Sequence, residues 1–200
     1  MAKLFFHYST MNAGKSTLLL QAAYNYRERG MHAHLMTAAF DDRAGRIGTI
    51  ASRIGIEAPA ETYGPDTDLF AAMQRHRDGH PCDCLLVDEA QWLSRDQVWQ
   101  LARIVDDLAV PVMAYGLRVD FRGELFPGSA ALLALADVLR EVRTVCHCGR
   151  NATMVVRRDA DGRAVTEGPQ VEVGGDDRYV SLCRRHFREA IGDREPRGGD

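Results

Sequence analysis

The sequence has little lysine, no excess of positive charge and no apolar run of membrane length. Its 200 residues carry 25 basic and 28 acidic side chains, a formal net charge of −3. Proteins that bind nucleic acid or membrane surfaces by general electrostatic attraction usually carry a basic excess, so we expect neither partner. The apolar run at residues 108–117 contains Pro111 and is half of the roughly 20 residues that span a bilayer.

Features of a secretory signal peptide are also lacking. Residues 1–6 hold only a short apolar run, without a small-residue cleavage site. The five cysteines are an odd number, and without a secretory signal they do not indicate a disulfide framework. We therefore expect a cytoplasmic protein in which cysteines bind a metal ion or pack as buried thiols.

Short apolar segments alternate with helical patterns along the first part of the chain. The patterns predict strands at residues 4–8, 34–38, 84–87 and 111–117, and helices at 17–29, 67–78 and 94–108. The last helix begins with Ser94 and Gln97 at the spacing of a capping box. This alternation predicts an α/β fold with a parallel sheet flanked by helices on both faces.

The character of the sequence changes after about residue 141. Short β-like segments at 142–145, 153–157, 171–173 and 179–182 alternate with glycine-containing turns at 161–162 and 174–175. We therefore expect an α/β domain at 1–141, a small domain of β-hairpins at 142–192 and a disordered tail at 193–200.

Residues 9–17 read S-T-M-N-A-G-K-S-T and connect the first predicted strand to the first predicted helix. Gly14, Lys15 and Ser16 match the end of the Walker A motif, although Ser9 stands where its first glycine is usual. Backbone N–H groups at a helix N-terminus attract phosphate, a lysine reaches the outer phosphates, and a serine hydroxyl binds Mg²⁺. The chain has only one other lysine, Lys3, and arginine is a poor substitute for a compact ammonium group.

Residues 85–89, L-L-V-D-E, are an apolar strand that ends in two carboxylates, as in a Walker B motif. Asp88 is suited to the shell of a Mg²⁺ ion. Glu89 is suited to act as a base that activates a hydroxyl group or a water molecule. Acidic pairs at strand ends are common, so the prediction of a nucleotide site depends on the combination with residues 9–16. Together the two motifs predict that the α/β domain at 1–141 is a P-loop nucleotide-binding domain.

Cysteine and histidine pairs bracket the small domain. Between Cys146-His147-Cys148 and Cys183 lie 34 residues, and two further residues separate Cys183 from the next candidate, His186. Three thiolates and one imidazole suit a closed, structural, tetrahedral Zn²⁺ site. His186 is the preferred fourth ligand, because His147 would point away from its neighbours in an extended segment.

The remaining cysteines and several histidines have no comparable pattern. Cys82 and Cys84 also form a C-x-C pair, but without a second pair nearby we interpret them as core and edge thiols. His7, His32 and His34 have no spacing that indicates a ligand role.

Six ordered blocks resemble the type II thymidine kinases, the zinc-containing family of bacteria and animals, over nearly the whole chain. The blocks are S-T-M-N-A-G-K-S-T at 9–17, D-D-R at 41–43, V-D-E-A-Q at 87–91, Y-G-L-R-V-D-F-R-G-E-L-F at 115–126, the C-x-C and C-x₂-H pairs, and G-G-D-D-R-Y at 174–179. Ser9 in place of glycine is similar to the bacterial branch.

The resemblance implies transfer of the ATP γ-phosphoryl group to the 5′-hydroxyl of thymidine, a salvage reaction that supplies dTMP for DNA synthesis. Glu89 would take the hydroxyl proton, and Asp41 and Arg43 resemble the family's pair near the phosphates. The residues implied in binding ATP and Mg²⁺ are Ser9, Thr10, Met11, Asn12, Ala13, Gly14, Lys15, Ser16, Asp41, Arg43, Asp88 and Gln91.

The resemblance also implies a thymidine site and a homotetramer. Phe121 resembles the aromatic residue that stacks on the thymine ring, and Met11 and Leu117 would line the base pocket. Residues 171–179 resemble the lasso loop that closes over the nucleoside, with the zinc ion joining its two ends. The residues implied in this loop are Val171, Val173, Gly174, Gly175 and Tyr179.

Two other functions fit parts of the pattern. A P-loop ATPase that couples hydrolysis to motion or to nucleic-acid binding would use Glu89 to activate water. The negative net charge and the lack of a basic patch with interleaved aromatics beyond Arg184-Arg185 argue against it. A non-enzymatic zinc-ribbon module is the other alternative, and the intact Gly14-Lys15-Ser16 argues against that one.

Overall fold

The computed structural model describes residues 1–40, 47–170 and 178–192. The chain forms two compact units. Unit 1 comprises Met1–Tyr8, Gly14–Arg118 and Phe126–Val142, and unit 2 comprises Ser9–Ala13, Val119–Leu125 and Arg143–Asp200. Two short segments of the expected first domain thus belong to the unit that holds the expected metal ligands. The domain boundary at residue 141 stays a prediction.

Unit 1 is built on a six-stranded sheet with the strand order β5-β2-β6-β7-β1-β8. The strands of unit 1 are β1 (Leu4–Ser9), β2 (Ala33–Ala38), β3 (Thr49–Ala51), β4 (Glu57–Pro59), β5 (Glu61–Tyr63), β6 (Cys84–Val87), β7 (Val112–Leu117) and β8 (Val138–Glu141). Strands β3 and β4 pair with each other outside the six-stranded sheet. The β5-β2-β6-β7 pairs and the β1-β8 pair are parallel, whereas β3 and β4 are antiparallel. The predicted α/β fold with a parallel sheet is confirmed.

Helices connect the parallel strands of unit 1, because parallel neighbours need a crossover between them. They are α1 (Lys15–Glu28), α2 (Leu69–Gly79), α3 (Arg95–Leu108) and α4 (Pro127–Leu135), with a short 3-10 helix at Ala90–Trp92. At the start of α3, Ser94 Oγ accepts a hydrogen bond from Gln97 N over 3.1 Å, and Gln97 Oε1 accepts one from Ser94 N over 3.0 Å. The predicted capping box is therefore present.

Strand β6 contacts a hydrophobic cluster on each face of the sheet. Leu85 and Val87 pack in one cluster with buried residues of α2, α3 and α4. Cys84 and Leu86 pack in the other cluster, which includes Leu19 of α1. Because both faces are covered, β6 is continuously apolar instead of alternating with polar residues. Cys84 is a core thiol, as expected.

Over its described residues, unit 2 contains a three-stranded antiparallel sheet and one helix. Strands β9 (Met154–Arg158), β10 (Ala164–Val165) and β11 (Tyr179–Leu182) pair in the order β10-β9-β11, and helix α5 (Arg184–Ile191) follows directly. Val156, Leu182 and Phe187 pack together in its small core. The sequence did not predict α5, because Phe187 is its single fully buried residue in an otherwise charged segment.

The predicted strand at 142–145 is wrong. The strand in this region is β8, four residues earlier, and it pairs with β1 in the large sheet, with Val138 opposite Phe5. Val145 forms only an isolated bridge with Asn151. Strand β8 is half-exposed to exposed along its length, so its apolar signal is weak.

Helix α4 and the three-residue strands β3, β4 and β5 were also not predicted, since α4 has no polar face and such short strands show no periodicity. The expected strand at 171–173 and the expected tail at 193–200 lie outside the described residues. Over the described ranges, no helix combines the length and apolar character needed to cross a membrane.

Candidate functional site

Lys15 and Ser16 are the first two residues of α1 in unit 1. Gly14 caps this helix with a φ of +85°, in the left-handed region that favours glycine. Glycine has no side chain to bond the first N–H groups of the helix, and such N–H groups attract anions. Lys15 is buried beside them, with 8% of its surface exposed.

The hydroxyl of Ser16 donates a hydrogen bond of 2.9 Å to Asp88 Oδ2. Asp88 follows the end of β6, and its backbone N–H is fixed by the carbonyl of Met36 on β2. The start of α1 therefore lies beside the carboxyl end of a central strand. The structure brings together two of the residues expected to bind Mg²⁺, a hydroxyl and a carboxylate, which are oxygen ligands that Mg²⁺ prefers.

Glu89 has a strained backbone. Its φ of +54° and ψ of +34° lie in the left-handed region, which costs a residue with a side chain about 1–3 kcal/mol. Tyr63 supports this conformation, because its hydroxyl contacts both the Asp88 carbonyl (3.1 Å) and the Glu89 carbonyl (2.9 Å). The sequence did not indicate Tyr63, which lies more than twenty positions earlier and is fully buried on β5.

Gln91 connects Glu89 to the end of β7. Its Nε2 donates to Glu89 Oε2 over 2.5 Å, and its Oε1 accepts from the backbone N–H of Leu117 over 2.9 Å. A side chain at Gly116 would bring a Cβ atom within 2.9 Å of Gln91 Oε1, so glycine permits this close approach. Ser129 Oγ donates to the Leu117 carbonyl, which fixes the same strand end.

In unit 2, strands β9 and β11 hold the segment Ser9–Ala13. Thr10 Oγ1 donates to the Met154 carbonyl over 3.1 Å. Ser181 Oγ donates to the Met11 carbonyl over 2.6 Å, and its oxygen lies 3.3 Å from Thr10 Oγ1. The sequence did not indicate Ser181, whose contacts reach about 170 positions back along the chain.

Phe121, also in unit 2, is 1% exposed and lies under an arginine. The guanidinium carbon of Arg157 is 4.0 Å from the centre of the Phe121 ring, a distance at which a cation attracts the ring face. Arg157 also donates to the carbonyls of Pro169 (3.3 Å) and Glu167 (3.2 Å). Tyr179 is the residue opposite Arg157 in the pairing of β9 and β11. No sequence pattern distinguished Arg157 from its exposed neighbour Arg158.

The four residues predicted as metal ligands come together in unit 2. Cys146 Sγ lies 3.2 Å and Cys183 Sγ 3.5 Å from His186 Nδ1, and Cys148 Sγ lies 3.9 Å from Cys183 Sγ. Ligand bonds of about 2.0 Å for nitrogen and 2.3 Å for sulfur place neighbouring atoms of a tetrahedral zinc shell about 3.5–3.8 Å apart. The cluster is therefore compatible with zinc.

Thiolate chemistry also suits this cluster. Burial would raise the pKa of the Cys146 thiol, but hydrogen bonds from the backbone at Cys148 and Cys183 and from His186 lower it to about 6. Thiolate is the form of cysteine that binds metal ions. His147 is not a member of the ligand group; its ring stacks on that of His186, with ring centres 4.2 Å apart.

A family model described as thymidine kinase matches residues 2–187 of this chain. The chain belongs to the thymidine kinase family. It is 73% identical to a thymidine kinase of Jannaschia sp. (strain CCS1), over 96% of this chain and 98% of that one. It is 67% identical to a thymidine kinase of Ruegeria pomeroyi, over 99% and 100% of the two chains. Identity to a thymidine kinase of Agrobacterium fabrum is 62%, over 96% and 98%.

Membership in the thymidine kinase family confirms the resemblance seen in the sequence, the expected thymidine kinase function and the class of ATP-dependent kinase. The individual roles of the site residues stay predictions. The residues Asp41, Arg43, Val171, Val173, Gly174 and Gly175 lie outside the described residues.

Proposed function

We propose that this protein transfers the γ-phosphoryl group of ATP to the 5′-hydroxyl of thymidine and releases dTMP and ADP. The observation that carries the proposal is the hydrogen bond between Ser16 and Asp88, which places the start of α1 beside the strand end that also presents Glu89. The helix terminus proposed to bind phosphate, the two proposed Mg²⁺ ligands and the proposed base all belong to unit 1, which supports the proposal.

The residues of unit 1 have separate tasks in this proposal. The N–H groups at the start of α1 and the ammonium group of Lys15 bind the phosphates of ATP. Ser16 and Asp88 hold Mg²⁺, which when bound neutralises charge on the transferring group. Asp41 and Arg43 act near the same phosphates.

Glu89 accepts the proton of the 5′-hydroxyl as the nucleoside oxygen forms its bond to the γ-phosphorus and the bond from that phosphorus to the ADP oxygen breaks. The amide of Gln91 keeps the Glu89 carboxylate in one orientation for this transfer, because it is itself held by the backbone of Leu117. A fixed base avoids the entropy cost of ordering the side chain during the reaction.

Recognition of thymidine is assigned to the residues implied by the resemblance. Phe121 stacks on the thymine ring. The Arg157 guanidinium lies over the Phe121 ring and restricts the motion of the Phe121 side chain. The other residues assigned to thymidine are Met11, Leu117, Val171, Val173, Gly174, Gly175 and Tyr179.

Zinc is the ion proposed for Cys146, Cys148, Cys183 and His186, in a structural role, because a shell of four protein ligands leaves no open position. A zinc ion held by these residues would join the segment before β9 to the start of α5. The proposed location is the cytoplasm, where ATP is available. The proposed assembly is a homotetramer.

The test is ADP release from ATP and Mg²⁺ by the full chain with each nucleoside in turn. Turnover that requires thymidine supports the proposal. Equal ADP release without a nucleoside would point instead to an ATPase, and no release at all to a binding module. The two lysines provide a matched pair of variants: Lys15→Arg should lose about 100-fold or more of kcat/KM, while Lys3→Arg should keep it.

A further inference from the structure

His34, Glu61 and His76 form a second group of potential metal ligands, in unit 1 and apart from every residue assigned above. Each offers one ligand atom, and these atoms lie within 4.8 Å of one another. Among the described residues, the cysteine-histidine group is the only other such set that includes a histidine or a cysteine. No pattern in the sequence indicated this cluster, because Glu61 comes 27 positions after His34, His76 comes 15 positions after Glu61, and the three residues lie on different elements.

Secondary structure fixes the position of each member. His34 and Met36 lie on the same face of β2, and Glu61 of the edge strand β5 is paired with Met36. His76 lies in the last turn of α2. One nitrogen or carboxylate thus comes from each of a strand, its edge neighbour and the helix that covers them.

The distances between the members suit a small cation. His34 Nε2 lies 3.0 Å from Glu61 Oε2, and the rings of His34 and His76 stack with their centres 3.8 Å apart. Bonds of about 2.0–2.2 Å from zinc to nitrogen and oxygen place neighbouring ligand atoms about 3.4 Å apart. The three ligand atoms lie within 4.8 Å of one another, so side-chain rotations that move them closer by up to about 1.4 Å would complete such a shell.

A further imidazole stands near the cluster. His80 follows His76 at the i, i+4 spacing, and the two rings stack with centres 5.2 Å apart. Helix α2 ends at Gly79 and His80 has an extended backbone, so the two residues are not a metal-binding pair on one helix. His80 is not a member of the ligand group, so a water molecule is left for the fourth position.

The charges of the cluster also favour a cation. Two stacked imidazoles repel each other when both are protonated, whereas their neutral nitrogens attract metal ions. Burial, and then the neighbouring imidazole, lower the pKa of His34 despite the Glu61 carboxylate, and burial and His80 lower the pKa of His76. The Glu61 side chain is about half exposed, so an ion can reach the site from solvent.

We propose that His34, Glu61 and His76 bind a divalent transition-metal cation of the zinc class, at a site separate from the cysteine-histidine cluster. Two histidines and one glutamate are an established ligand set for zinc. The bound ion ties the edge strand β5 and the end of α2 to β2. This inference does not depend on the phosphoryl-transfer reaction, so either can fail without the other.

The test is a Zn²⁺ titration of the full, untagged chain whose cysteine-histidine site is already loaded. Bound zinc is counted after equilibrium dialysis at micromolar free Zn²⁺. We expect one further equivalent per chain for the wild type, at least about tenfold weaker binding for His76→Ala, and loss of that equivalent for the double variant His34→Ala/His76→Ala. Alanine is a good helix former, so His76→Ala should leave α2 intact, which circular dichroism checks.

His32→Ala is the matched control, because His32 is an exposed histidine near β2 that is outside the cluster. It should keep the additional equivalent. A wild type that binds no zinc beyond the first site overturns the inference. An additional equivalent that persists in His34→Ala/His76→Ala, or is lost in His32→Ala, overturns it as well, because the ion would then bind elsewhere.

Discussion

Gln91 holds Glu89 by a hydrogen bond of 2.5 Å from its Nε2 to the carboxylate Oε2, while its own Oε1 is fixed by the N–H of Leu117. The Gln91 amide therefore fixes the carboxylate of Glu89, the residue expected to act as the base, relative to the end of β7. Both side chains are buried, Gln91 at 1% and Glu89 at 7% exposure. In such surroundings a hydrogen bond to a charged group is stronger than in water.

Gln91→Leu should lower kcat for thymidine phosphorylation by about 10- to 100-fold, because the carboxylate loses the group that orients it. The resemblance groups Gln91 with the residues that bind ATP, but its amide contacts Glu89 and Leu117, so the KM for ATP should change little. Steady-state kinetics with varied ATP and thymidine measure both values. Gln74→Leu, on the exposed surface of α2, is the control. A Gln91 variant with wild-type kcat would contradict the positioning role.

Glu89→Gln should lower kcat by about 10²- to 10⁴-fold, because the amide cannot accept the proton of the 5′-hydroxyl. The side chain keeps its size, so ATP affinity measured by calorimetry should stay close to that of the wild type. Glu57→Gln, exposed on β4, should leave both quantities unchanged. Full activity in Glu89→Gln would remove this residue from the base role.

Arg157→Lys should raise the KM for thymidine by about tenfold while kcat falls less. Lysine keeps the charge but not the planar fork that lies over Phe121 and bonds the carbonyls of Pro169 and Glu167. Arg158→Lys on the same strand is the matched control, because Arg158 is exposed. Equal KM values in the two variants would show that the Arg157 contact does not affect nucleoside binding.

Cys183→Ser should reduce the zinc content of the purified chain to well below one per chain and lower its thermal midpoint. Cys183 is also the N-cap of α5, and serine is a favoured N-cap, so the loss would report on the metal and not on the helix start. Zinc is quantified in protein passed through a mild chelator, which removes more weakly held ions. Cys82→Ser, which is outside the cluster, should keep its zinc. Undiminished metal in Cys183→Ser would exclude Cys183 as a ligand.

The stability of the fold should decrease as the pH falls from 6.5 towards 4, in part because of His7. Burial, and to a smaller extent Arg140, lower the pKa of His7 from 6.5 to about 4. Between these two pKa values the unfolded chain binds more protons than the folded chain. The contribution of the neutral, buried His7 side chain to stability is therefore complete above pH 6.5 and is lost as the pH falls towards 4. Urea midpoints at about pH 7 and about pH 5 measure the change.

His7→Gln cannot take up this proton, so its urea midpoint should fall less over the same interval. His7 stacks on Tyr115 with ring centres 4.5 Å apart, and the variant is therefore expected to be somewhat less stable at neutral pH. His32→Gln, at an exposed position, should follow the wild type. An equal change of the urea midpoint between pH 7 and pH 5 in His7→Gln and in the wild type would show that His7 does not cause the loss of stability.

Local patterns predicted the central elements well, because their signals lie within a few residues. Strand β6 coincides with the predicted segment, and the capping box at Ser94 and Gln97 marked the start of α3. The weakly apolar β8 was not predicted, because pairing with β1 stabilises it. The charged α5 was not predicted, because the packing of Phe187 stabilises it and local periodicity does not show this.

By itself, the sequence determined the α/β class, the Gly14-Lys15-Ser16 segment expected to bind phosphate, the carboxylate pair at the end of β6 and the cysteine-histidine spacing. Each of these features is recognised from residues that are neighbours along the chain or that repeat at the period of a helix or strand. Only the tertiary structure decided that Gln91 holds Glu89, that Arg157 covers Phe121 and that His34 meets Glu61 and His76. These contacts join separate elements, and their distances depend on how the sheets and helices pack, which spacing along a single chain does not record.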